Sequence, residues 1–100
     1  MNALHYQRQT SNVANGTGFQ GYAYATMQQL KDAFGDPELN TSADGKVTHL
    51  WVINIEGVLC TVYDYKEDLD TGKVEAWHVG GKVAAASILV NEVLKNEEVL

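Results

Sequence analysis

The sequence is poor in cysteine, basic residues and long hydrophobic runs, and each shortage excludes something. A single cysteine, Cys60, has no partner for an internal disulfide, which fits a reducing cytosol. Seven Lys and Arg stand against thirteen Asp and Glu, a formal net charge of −6. That balance argues against direct nucleic-acid binding, which needs a basic face to displace counterions. An acidic chain can instead mimic nucleic acid, but only Asp64, Glu67, Asp68 and Asp70 cluster, so a solubilising surface is the simpler reading. The longest apolar run, VAAASILV at 83–90, has eight residues, against the roughly 20 needed to cross a bilayer. The first residues carry neither a basic n-region nor an apolar h-region, so no secretory signal is expected and the expected location is the cytoplasm. His5, His49 and His78 are scattered without metal-ligand spacing, and no metal or cofactor is expected.

What is present is an ordinary globular composition, 45% hydrophobic and 20% charged, in one hundred residues, enough for one domain. Residues 1–18 are polar and turn-rich, with Asn15-Gly16 and Gly18, and read as a hairpin or mobile arm ahead of a domain over 19–100. FQGYAYA at 19–25 alternates Phe19, Gly21, Ala23 and Ala25 against Gln20, Tyr22 and Tyr24, the pattern of a strand. Thr26 and Gln29 form a capping box that opens a helix with Met27, Leu30 and Phe34 on one stripe; Gly35 and Pro37 end it. The segment 38–46 reads as a loop.

Two alternating runs, 46–55 and 58–66, flank Glu56-Gly57 and predict a tight hairpin. That register pairs Ile55 with Val58, Ile53 with Cys60, Trp51 with Val62 and His49 with Asp64 on one face. The other face carries Leu50, Val52, Leu59, Thr61, Tyr63 and Tyr65. Both faces are largely apolar, so the face that two helices leave uncovered needs a partner or must tolerate exposure, and a homodimer or higher homo-oligomer is the expected solution. Residues 66–72 connect to a short third strand over 73–79. A last helix is expected after Gly80-Gly81, with Val83, Ala86, Val90, Val93 and Leu94 inward, Ile88 outward and a fraying tail from Asn96. The expected fold is α+β, an antiparallel sheet with two helices on one face, in the order strand, helix, three strands, helix.

Four blocks, GYAYATMQQLKDAFGDP, DGKVTHLWVI, VYDYK and WHVGG, occur in this order over residues 16–81. In them the chain resembles a family of small bacteriophage and prophage proteins with an F-G-x-P, E-W, I-Y-D-[WY]-K, W-H-I-G-G pattern. It departs at Met27, where the family has an aromatic, at Leu50, where it has an acid, and at Gly57-Val58 in the turn. The resemblance implies an accessory protein made in the infected cell's cytoplasm. Small phage proteins of this size often counter host defence, by binding a host protein or by sequestering a nucleotide signal.

The residues themselves offer little to catalysis. Asp64 would orient His49, but no serine or cysteine is placed as a nucleophile, so the pair reads as a polar bridge at the sheet's end or as part of a binding site, and not as an enzyme. WHVGGK at 77–82 is the stronger lead. A helix opening on two glycines with Lys82 in its first turn would present free N–H groups and a cation to a phosphate. His78 lies beside it, and Tyr63, Tyr65, Lys66 and Trp77 would supply stacking rings and charge. The expected ligand-binding set is therefore Tyr63, Tyr65, Lys66, Trp77, His78, Gly80, Gly81 and Lys82. The plainer alternative makes Gly81 an N-cap, Trp77 core, and the tyrosines a dimer contact. Three functions stay open: a non-enzymatic binder of a small phosphorylated or nucleotide ligand, an inhibitor of a host protein by direct contact, and a structural or regulatory phage protein.

Overall fold

The chain reverses at Glu56-Gly57 in a computed structural model that describes residues 4–10, 16–39 and 45–98. Both turn residues take positive φ, 51° and 83°, as a two-residue type I′ hairpin requires. The hairpin joins β4 (His49–Ile55) to β5 (Val58–Tyr63) in the expected register, Ile55 opposite Val58, Ile53 opposite Cys60 and Trp51 opposite Val62. Around it the chain adds β1 (Tyr6–Gln9), β2 (Gly18–Ala25), α1 (Met27–Phe34), β3 (Glu38–Leu39), β6 (Glu75–Gly81) and α2 (Ala85–Glu98). The strands make one antiparallel sheet in the order β1-β4-β5-β6-β2, with the short β3 also on β4.

Both helices pack on one face of this α+β fold. Trp51, Ile53, Ile55, Cys60, Val62, Trp77, Val79, Ala23 and Ala25 meet Met27, Leu30, Ala33 and Phe34 of α1 and Ala86, Val90, Val93 and Leu94 of α2. The two indoles cross edge to face at 5.5 Å, each with its N–H satisfied. Trp51 donates to the Gly35 carbonyl at 2.7 Å and Trp77 to the Ala25 carbonyl at 3.0 Å, tying both ends of α1 to the sheet. The capping box forms as its residues predict. The Gln29 amide donates to Thr26 Oγ1 at 3.0 Å and the Thr26 amide to Gln29 Oε1 at 2.8 Å.

Three expectations are corrected. Tyr6–Gln9, read as part of an arm or hairpin, is instead an edge strand of the same sheet, with Tyr6 opposite Ile55 and Arg8 opposite Ile53. Arg8 is anchored there by donating to the Phe34 carbonyl at 2.7 Å, and Tyr6 packs on the Phe34 ring. The loop expected at 38–46 contributes β3. The third strand does not end at Val79 but runs through Gly80 and Gly81, so α2 begins at Ala85 and Val83 is exposed ahead of it. The reason is space, because a Cβ on Gly81 would lie 2.5 Å from that of Ala86, and one on Gly80 would collide with Thr61 Oγ1. These glycines let the ladder continue under its neighbours. Residues 1–3 and 11–15 of the expected arm, 40–44 of the loop and the last two of the tail lie outside the described residues.

Candidate functional site

The sheet face away from the helices gathers the exposed aromatic residues. Ladder pairs run straight across it, Glu38 beside Leu50, Leu50 beside Tyr63, Tyr63 beside His78 and His78 beside Tyr22. The next row holds Val52, Thr61, Gly80 and Phe19. Phe19 reaches this face through a register shift between Phe19 and Gly21. A regular strand would place residues three apart on opposite faces; one extra residue brings Phe19 and Tyr22 together. This corrects the simple alternation that set Phe19 with Gly21, Ala23 and Ala25. Gly21 itself faces α2, where a Cβ would lie 2.9 Å from Ser87.

His78 is the hub. Its ring lies 5.4 Å from Phe19, 5.2 Å from Tyr22, 5.8 Å from Tyr65 and 5.4 Å from Tyr63, the last stacked at 24°. Its Nδ1 is buried without a hydrogen-bond partner among the described residues. Phe19 (51%), Tyr22 (43%), Tyr24 (63%) and Tyr65 (38%) nevertheless remain exposed, too many large rings in one place for a face that serves only solubility. Burial and the neighbouring Tyr65 raise the Tyr63 hydroxyl above its ordinary pKa, so it stays neutral and acts as a hydrogen-bonding ring. The Lys66 ammonium stands 5.2 Å from the Tyr65 ring centroid, a cation–π contact at the patch's edge.

Of the expected ligand-binding set, the structure brings together Tyr63, Tyr65, Lys66 and His78. Gly80 lies against the Tyr63 ring in the next row of the same face, but it does not form a phosphate cradle there with Trp77, Gly81 and Lys82. Trp77 alternates with His78 and is fully buried in the core, so it offers no ring to a ligand. Gly80 and Gly81 are the last two residues of β6, and Lys82 precedes the helix instead of opening it. Phe19, Tyr22 and Tyr24 were missed as site residues. Their signal was a repeated aromatic on one strand, obscured by the bulge.

The pair His49–Asp64 forms at the end of the β4–β5 ribbon. Asp64 is fully buried and accepts from the Thr48 and His49 amides (both 2.9 Å), the Thr48 hydroxyl (2.5 Å) and His49 Nδ1 (2.8 Å). Burial pushes its carboxyl upward, but the hydrogen bonds from Thr48 and His49 outweigh it and hold the pKa below the ordinary value. Such a carboxylate is committed to its own chain. Cys60, on the core side, is buried, with its thiol pushed up to about 11 by desolvation, and is no nucleophile at neutral pH. Among the described residues, no three His, Cys, Asp or Glu side chains converge as metal ligands. No helix is long and apolar enough to cross a membrane among these residues.

No family model, curated protein or solved structure matches the chain.

Proposed function

We propose that the protein is a non-enzymatic binding protein that docks the exposed aromatic patch of its sheet onto another polypeptide. The observation that carries this reading is the His78-centred aromatic cluster with Phe19, Tyr22 and Tyr24 exposed around it. Exposed rigid rings are the residues that most often dominate protein–protein affinity, because they bury large area at little entropic cost. The net charge of −6 favours a partner with a basic rim. The order of the four sequence blocks supports a phage accessory, anti-defence role in the cytoplasm of an infected cell, with a host protein as the partner. A two-fold homodimer through the same face is the self-associating version, and sedimentation at micromolar concentration separates it from a monomer. The test of docking is a Phe19→Ser, Tyr24→Ser double variant, compared with wild type for binding to the purified, reconstituted host partner. Unchanged melting with at least about tenfold weaker binding supports the reading; equal binding removes it.

A second reading, sequestration of a nucleotide-like ligand, is supported by the near-parallel Tyr63–His78 stack and by Lys66 beside Tyr65. Mass spectrometry of small molecules released from protein purified out of infected, defence-competent cells tests it directly.

A further inference from the structure

A cavity of about 470 Å³ opens beside the His49–Asp64 pair, between the segment entering β4 and the one leaving β5. Lys46, Thr48, His49, Lys66, Glu67 and Asp68 line it. Its two walls are stitched together. The Lys66 amide donates to the Lys46 carbonyl at 2.8 Å, and Asp64 receives the Thr48 and His49 amides from the opposite wall. Lys66 is held at φ 61°, a left-handed conformation that costs a lysine free energy and is concentrated at functional sites.

The hydrogen bonds also settle which atom His49 offers. Thr48 Oγ1 spends its proton on Asp64 Oδ2, and an ionised Asp64 can only accept. His49 Nδ1, 2.8 Å from that same oxygen, must therefore carry the ring proton. Nε2 is left as the ring atom for a ligand at the cavity lining. A buried carboxylate that orients an imidazole in this way preorganises it before any ligand arrives.

The lining mixes charge signs. Two ammonium groups suit a phosphate, whereas the carboxylates of Glu67 and Asp68 and the lone pair of His49 Nε2 would repel a bare anion but accept hydrogen bonds from hydroxyls. A ligand carrying a phosphate and a vicinal diol satisfies both sets. Carboxylates meet ribose hydroxyls in this manner at other nucleotide sites. The volume falls within the range of about 300–1,000 Å³ typical of small-molecule sites. The geometry points to a mononucleotide site in this cavity, with Lys46 and Lys66 on the phosphate and with Glu67, Asp68 and the His49 Nε2 lone pair accepting from the sugar hydroxyls. This deepens the second, ligand-sequestering reading, and it is independent of docking through Phe19, Tyr22 and Tyr24.

Calorimetry and thermal shift on the full chain test it, with adenosine and guanosine 5′-monophosphates, the matching nucleosides and inorganic phosphate as probes. At least one monophosphate should raise the melting temperature, and its nucleoside should bind at least about tenfold more weakly. Lys66→Gln should weaken the monophosphate by about ten- to a hundredfold, as should His49→Gln, while Phe19→Ala leaves it unchanged. Lys66→Gln keeps an unbranched side chain on the same backbone and touches no core residue, so it reports on the site even if His49→Gln fails to fold. Monophosphate binding that ignores Lys66→Gln overturns this site but leaves the sequestration reading standing. Binding of phosphate as tightly as the nucleotide overturns the sugar contacts. If no probe binds, both this site and the mononucleotide form of that reading fall.

Discussion

Asp64 holds His49 twice, through its backbone amide at 2.9 Å and its ring Nδ1 at 2.8 Å, from a position with no solvent exposure. Removing the carboxylate strands two amides, a hydroxyl and an imidazole. Asp64→Ala should therefore cost about 3–5 kcal/mol, measured by urea unfolding, the range for breaking a buried charged network. The pH dependence follows from the depressed carboxyl pKa. A group more acidic folded than unfolded contributes stability above its unfolded pKa and loses it as pH falls through the folded value. Between about pH 6 and about pH 2 the wild type should thus lose stability more steeply than Asp64→Asn. Parallel slopes would assign acid sensitivity to other carboxylates.

Gly80 lies under Thr61 with no room for a methyl group. Gly80→Ala should destabilise by about 1–3 kcal/mol, the usual cost of overpacking. Thr61→Ala removes the obstructing hydroxyl, so the double variant should recover part of that loss. A coupling of at least about 0.5 kcal/mol in the double-mutant cycle is expected. Additive losses would mean that the glycine is required for another reason.

Cys60 has its thiol pushed up to about 11 and lies in the core. At pH 8 about one molecule in a thousand carries the thiolate, and burial shields even that fraction. Reaction with a disulfide reagent should be slow in buffer and immediate in denaturant. Prompt labelling of the native protein would show that the sheet opens readily beneath α2.

Lys82 is exposed and stands three residues before α2. It is outside both the aromatic cluster and the cavity, so Lys82→Glu should change stability by less than about 0.5 kcal/mol. It should also leave mononucleotide binding intact. A large loss of binding in this variant would restore the phosphate role expected at Gly80-Gly81-Lys82.

Much of the architecture was decided locally and could be read from the residues. Thr26 and Gln29 satisfy each other's backbone three positions apart, so the start of α1 needs no distant information. Glu56-Gly57 sets a two-residue turn, and the strict period of two then carries Trp51, Ile53 and Ile55 to one face and His49 to Asp64. Half of the expected ligand-binding set came together for the same reason, since Tyr63, Tyr65, Lys66 and His78 lie on adjoining segments at the opposite face.

Other features are decided only when distant segments meet. Tyr6–Gln9 is a polar tetrapeptide whose strand exists because β4, more than forty residues on, presents an unpaired edge. Alternation in GFQGYAYA cannot reveal the extra residue that turns Phe19 toward Tyr22, because the bulge is defined by the β6 register and by the close approach of Ser87 to Gly21. Gly80-Gly81 resembles a helix-opening turn in isolation, since glycine has little conformational preference of its own. Packing against Thr61 and Ala86 makes it the end of a strand. Local chemistry thus determines the caps, turns and alternating faces, whereas the identity of an edge strand, a bulge or a buried glycine depends on which surface the folded chain brings within a few ångströms.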